Sequence, residues 1–311
     1  VDVYSVANAG GGPIDVEANR ARIVSALGLL LARGADNDRL NRLILHAGLT
    51  VRQVALVRLY QMYYAQINPV ISRAFVNGAL LAHPDLAAVL VRYFETKFDP
   101  TRFGAAAGGA SLRPSQERLG ALSEIEQGFV DGLADVKSLA EDQVLRGLLD
   151  LMKATVRASY FLDLPRLSIK IESAKVSLMP EPRPMFEIAV ASRGVEGTHL
   201  RGGKVARGGI RWSDRHDDFR TEVLGLLKTQ TTKNAVIVPV GSKGGFVVKN
   251  APQGPDLRDY VRSQYQTYIR GLLDLTDNLV EGAVVNPADL VIYDEDDPYL
   301  VVAADKGTAT F

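Results

Sequence analysis

Along the first half of the chain, apolar residues recur every three to four positions; along much of the second half they recur every second position. Helices followed by strands are therefore expected. "IDVEANRARIVSALGLLLARG" has helical spacing and stops at Gly34. Thr50-Val51-Arg52-Gln53 has the form of a capping box. It opens "VRQVALVRLYQMYYAQI", which must end near Asn68-Pro69 because the residue before a proline avoids the α region. "ISRAFVNGALLA" and "PDLAAVLVRYFETKF" continue the pattern, broken at Pro84 and Pro100. Residues 1–13 read as a tether ending in glycines and "FGAAAGGASLRPSQ" as a small-residue linker. Residues 117–161 read as one or two long amphipathic helices.

The pattern changes at Pro165. "RLSIKIES", "MFEIAVAS" and "GTHLRGG" are short, alternating and bounded by proline or glycine, which predicts strands. "DDFRTEVLGLLKTQTTKN" predicts a helix, "AVIVPV" a buried strand and "GGFVVK" another. "DLRDYVRSQYQTYIRGLLDLTDNLV" predicts a long helix, and "ADLVIYD" and "YLVVAAD" return to strand. The expected class is α+β: an all-helical domain over residues 1–160, then a mixed-sheet α/β domain over 166–311.

Composition adds limits. The chain has 311 residues, 47% hydrophobic and 23% charged, as in a soluble globular protein, and its formal net charge is zero. No global field therefore argues for nucleic acid or a membrane surface as a partner. Cysteine is absent, which excludes disulfides, thiolate chemistry and cysteine-bound zinc, and fits a cytoplasmic setting. The chain opens on Val1 with no signal peptide, and is expected to be a piece of a longer one.

Charge is uneven locally. Residues 201–249 carry ten cations (Arg201, Lys204, Arg207, Arg211, Arg215, Arg220, Lys228, Lys233, Lys243 and Lys249) against Asp214, Asp217, Asp218 and Glu222. Glycines flank the cations in "RGGK", "RGGIR" and "SKGGF", and glycine lets backbone approach an anion closely. A pocket for a small dicarboxylate fits this pattern, and so does a solvated basic face. Lys243 follows the apolar run "AVIVPVG", at the strand end where open α/β sheets place ligands. Seated among cations it would be a usable acid–base group; otherwise it is an exposed turn lysine. Asp305 closes "YLVVAAD" and could relay protons with Lys243, or cap a turn. "DEDDP" at 294–298 reads as a solvated loop rather than a cation site, and "YQMYY" as helix core with exposed tyrosine rims. The four histidines are scattered with no metal-binding spacing, so no metal is expected, and no nucleotide fingerprint is present.

In order, "ARGGIRWSD", "KTQTTKNAV", "VGSKGGF" and "VVAADKGTATF" resemble the substrate-binding half of glutamate dehydrogenases, in particular the large bacterial NAD-specific class. The resemblance covers about residues 166–311 and implies oxidative deamination of L-glutamate to 2-oxoglutarate and ammonium with NAD. It implies that Arg207, with Gly208 and Gly209, receives the side-chain carboxylate, and that Gln230 and Lys233 hold the α-carboxylate. Lys243 would activate the water that attacks the iminium carbon, and Asp305 would exchange protons with the amine. The resemblance also implies a homo-oligomer and a nucleotide-binding domain beyond Phe311, so the isolated piece is expected not to turn over. The alternative is an anion-binding or assembly module without chemistry.

Overall fold

In the computed structural model, residues 14–103, 111–233, 240–305 and 308–309 are described, residues 230–233 by backbone alone. Seven helices come first: α1 (Val16–Leu31), α2 (Leu43–His46), α3 (Val51–Ile67), α4 (Arg73–Ala82), α5 (Pro84–Phe98), α6 (Gln116–Gly132) and α7 (Leu139–Ala154). Their starts follow local chemistry. Thr50 and Gln53 form the reciprocal capping box of α3, Ser72, Ser115 and Ser138 cap α4, α6 and α7, and Pro84 opens α5. Helix α3 is the buried axis of this half. Tyr60, Tyr63 and Tyr64 are all buried rather than forming exposed rims. The Tyr60 and Tyr63 hydroxyls are bonded to Thr155 Oγ1 and Glu187 Oε2, both at 2.7 Å, which makes their burial tolerable.

The strands are β1 (Thr155–Ala158), β2 (Arg166–Glu172), β3 (Phe186–Ser192), β4 (Val195–Arg201) and β5 (Gly209–Trp212). Then come α8 (Phe219–Lys233), β6 (Ser242–Val248), α9 (Leu257–Leu273), β7 (Asn278–Val280), β8 (Ala283–Val285) and β9 (Ala303–Ala304). Seven of them form one mixed sheet in the order β1-β2-β3-β4-β6-β5-β9. Pairing is antiparallel from β1 to β6 and parallel between β6 and β5 and between β5 and β9. Helices α8 and α9 pack against the sheet. A helical first part followed by a mixed sheet is the architecture expected. One apolar core runs continuously from Tyr60 and Phe94 through Ile169 and Ile171 to Phe219 and Val247, and a second lies under α9 around Phe246, Tyr268 and Leu272.

Several elements differ from the pattern. Residues 155–158 form β1, where a continued helix was expected, because the β-branched Thr155 and Val156 are fully buried against β2. The long helix stops at Leu273, and 278–285 fold into the β7–β8 hairpin, turning at Glu281 and Gly282 with positive φ. "ADLVIYD" makes only a single bridge, between Val291 and Leu112, and "YLVVAAD" contributes only Ala303–Ala304. Strand β5 was not anticipated. The strand expected at "AVIVPV" lies, apart from Val240, outside the described residues, as does the tether at 1–13.

Candidate active site

The stretch Ser242-Lys243-Gly244-Gly245-Phe246 begins β6, and its two glycines are there because both faces are occupied. A Cβ on Gly244 would stand 2.9 Å from the Tyr268 hydroxyl of α9, and one on Gly245 would stand 2.3 Å from Val223 Cγ2 of α8. Side chains alternate along a strand, so Lys243 shares the α8 face with Gly245. Its cross-strand partner Leu200 agrees, because Leu200 clusters with Val223, Leu224 and Leu227.

Two strands away, β9 leads directly into Asp305. Between them runs β5, whose Ile210 is paired with Gly244 on one side and Ala304 on the other. Lys243 Nζ lies 2.8 Å from Asp305 Oδ2, with the two side chains 17% and 34% exposed. Gly209 makes this meeting possible: a Cβ there would stand 3.0 Å from Asp305 Cβ and 3.4 Å from its carboxyl carbon. The neighbour of the lysine head is thus a carboxylate rather than another cation. Thr308, buried and not singled out from sequence, fixes the aspartate. Its Oγ1 accepts from the Asp305 amide at 2.9 Å and donates to the Ile210 carbonyl at 2.8 Å, and that carbonyl also accepts from the Asp305 amide at 3.2 Å. The three-residue spacing from Asp305 to Thr308 was the available signal.

Gly208 permits the neighbouring approach, since a Cβ there would fall 1.4 Å from the Ser242 carbonyl oxygen. The Arg207 carbonyl accepts from the Ser242 amide at 2.9 Å, so Arg207 is one residue from the lysine across the β5–β6 junction, with its side chain exposed. Arg207, Gly208, Gly209, Lys243 and Asp305 therefore sit together. Gln230 and Lys233 are in the last turn of α8, and their side chains lie outside the described residues.

Six of the ten cations are paired with carboxylates away from Lys243. Arg201 pairs with Asp297, Lys204 with Glu295, Arg211 with Glu222, Arg215 with Asp218, Arg220 with Glu187 and Lys249 with Asp36. "DEDDP" is not a wholly solvated loop. Asp294 reaches Arg157 and Lys170 at 2.6 Å each, and Asp297 reaches Lys170 at 2.7 Å, all nearly enclosed. Burial alone would raise the carboxyl of Asp297, but Arg201 and Lys170 outweigh it and hold it below the usual range. His199, beneath Gly244, is pushed down to about 4 by burial and by Arg201. Among the described residues, no three His, Cys, Asp or Glu side chains are grouped to hold a metal, and no single helix is long and apolar enough to cross a membrane.

A partly screened lysine–carboxylate pair at the parallel edge of a mixed sheet can take up and return protons, which is the equipment of an acid–base enzyme. The family of bacterial NAD-glutamate dehydrogenases, by its catalytic domain, matches residues 128–311, and helical motif 3 of glutamate dehydrogenase matches 35–100. The chain belongs to that bacterial NAD-glutamate dehydrogenase family. It is 47% identical over 308 residues to the NAD-specific glutamate dehydrogenase of Halomonas elongata, covering 96% of this chain and 18% of the relative. It is 46% identical over 318 residues to that of Pseudomonas aeruginosa, covering 99% and 19%. With that of Mycobacterium tuberculosis it shares 43% over 312 residues, covering 94% and 18%. The chain thus spans about a fifth of the length of the curated relatives it matches.

Proposed function

We propose that this chain supplies the dicarboxylate pocket and the proton-handling pair of a protein that oxidatively deaminates L-glutamate to 2-oxoglutarate and ammonium with NAD, as a homo-oligomer. One observation carries the reading: Lys243 and Asp305 meet at 2.8 Å across Gly209, partly open to solvent. Arg207 receives the side-chain carboxylate, and Gln230 and Lys233, at the end of α8, hold the α-carboxylate. Lys243 takes a proton from the water adding to the iminium carbon, forming the C–O bond. Asp305 delivers a proton to the amine nitrogen; as the C–N bond breaks and ammonia leaves, the carbinol oxygen forms the carbonyl of 2-oxoglutarate and its proton passes to the Asp305 carboxylate. Contact between the two groups lets a proton pass from one to the other before the next turnover.

NAD belongs to this reading through the relatives' names. Among the described residues, no strand–glycine turn–helix unit of the dinucleotide-binding kind occurs; NAD, when bound, would supply the acceptor for the hydride that leaves the α-carbon. Spanning about a fifth of its relatives' length, the chain alone is expected not to turn over. The test is NAD-dependent glutamate oxidation by the protein at its relatives' full length, wild type beside Lys243→Gln. Turnover lost with glutamate still bound supports the assignment; turnover kept within a few-fold of wild type overturns it.

A further inference from the structure

At the other end of β4 and β6, away from Lys243, two adjoining cavities of about 450 and 890 Å³ open between the helical part and the sheet. They share Ala35, Asp36, Arg58, Arg193, Glu196 and Lys249 as common walls. Lys249 follows β6 directly and lies six residues beyond Lys243, about 20 Å away at the strand rise of ~3.3 Å per residue. This is a separate place from the lysine–aspartate pair.

The two cavities differ in chemistry. The smaller has an apolar wall, with Leu29, Val51, Ala55, Leu164, Leu167 and Ala191 contributing to it. The larger is lined by five cations, Arg33, Arg58, Arg73, Arg193 and Lys249, against three carboxylates, Asp36, Asp38 and Glu196. The carboxylates are already engaged. Asp38 takes Arg58 at 2.6 Å, Glu196 takes Arg73 at 2.8 Å and Lys249 at 3.4 Å, and Asp36 takes Lys249 at 2.9 Å. Burial would raise Glu196, but Arg73 and Lys249 outweigh it and keep the carboxyl low, so the acidic side of the cleft stays charged and occupied. The exposed Arg33 and Arg193 are left with no carboxylate among the described residues.

The geometry points to a binding site for a small amphipathic organic anion, whose apolar body fills the smaller cavity and whose carboxylate or phosphate meets Arg33 and Arg193. Guanidinium groups suit such heads because they present two parallel donors to two oxygens. The volumes fall in the range of small-molecule sites, about 300–1,000 Å³. Neither arginine takes part in the function proposed above, so this site stands or falls separately.

The test is calorimetric titration of this 311-residue chain with 1-naphthoate, and separately with inorganic phosphate. Saturable binding of one naphthoate per chain, weakened about tenfold or more by Arg33→Glu with Arg193→Glu, supports the site. Both residues are on the surface, and circular dichroism checks that the double variant is folded. A second variant, Ala55→Trp, fills the apolar wall and should abolish binding while leaving both arginines in place. No saturable binding to the wild type, or affinity unchanged in the double variant, overturns the proposal. Phosphate bound as tightly as naphthoate overturns the amphipathic part, because the apolar wall would then contribute nothing.

Discussion

Two groups of opposite charges stand at two places on the same sheet, and they are built differently. Around β1 and β2, Arg157 is held by Asp277 and Asp294, and Lys170 by Asp294 and Asp297. Arg157 and Asp277 are 0% exposed, and carbonyls of Leu275 and Glu295 take further guanidinium hydrogens at 3.2 and 2.9 Å. At the β6–β5–β9 junction, Lys243 and Asp305 are also in contact, but at 17% and 34% exposure. The first arrangement is closed and its groups are saturated by the protein. The second is partly open to solvent. A buried network of this kind ties chain segments together, whereas an ion pair left ajar is available for chemistry.

The largest effect separates the two at once. Lys243→Gln, in the protein at its relatives' full length, is expected to lower kcat by about 10²–10⁴-fold, the usual contribution of a positioned acid–base group, while the unfolding midpoint barely moves. Steady-state kinetics and a denaturant titration read both. The mirror case is Asp277→Ala. Arg157 keeps Asp294, but the closed cluster is left with one positive charge too many, which should cost about 3–5 kcal/mol of stability, measured by urea unfolding. Replacing both partners together, Arg157→Met with Asp277→Leu, should cost clearly less, since no uncompensated charge is left behind. If Lys243→Gln destabilised as much as Asp277→Ala, the two clusters would not differ in kind.

A smaller effect probes the gap that lets the open pair form. Gly209→Ala places a methyl group 3.0 Å from Asp305 Cβ, so the carboxylate must shift by a few tenths of an ångström. About tenfold in kcat, ~1.4 kcal/mol in the barrier, is the expected loss, with KM changed less. Equal loss with Thr308→Val, which removes the hydroxyl holding Asp305 in place, would show that position rather than bulk matters.

How much of this was legible in the sequence follows from the same contrast. Capping residues and proline set the bounds of α3, α4 and α5 because those signals are local. Lysine beside two glycines was legible because glycines between apolar runs imply close approach, and here Tyr268 and Val223 press on them. The acidic run at 294–298 was not, since its partner Arg157 lies 137 residues away and nothing local distinguishes a saturated carboxylate from a solvated one. Strand β1 was lost for a related reason. Helix α7 meets it without a glycine or proline, and only pairing with β2 decides the matter. The cavity behind Lys249 leaves no local sequence signal because its walls come from α1, α3, α4 and the β3–β4 turn together.

The subtlest effect concerns a third way of holding a charge. Among the described residues no carboxylate lies beside the buried Lys97; its Nζ donates to the carbonyls of Met152 and Lys153 at 3.0 and 2.7 Å, at the end of α7 where such acceptors lack helical partners. Burial, then Lys175 and Lys153, push it down to about 7 from 10.5. Between those two values the unfolded chain keeps a proton that the folded chain has released, so raising the pH favours folding. Below about 7 both states hold the proton and this contribution is flat. Wild-type stability should therefore climb from about pH 7 towards 10.5, and Lys97→Met should remove that part of the climb in denaturant titrations at stepped pH. Lys243→Gln should leave it intact, because the lysine at the open site meets its carboxylate in reach of solvent and Lys97 meets carbonyls and aromatic rings inside the core. An identical pH profile for wild type and Lys97→Met would mean that the carbonyls at the end of α7 hold the ammonium as well as water does.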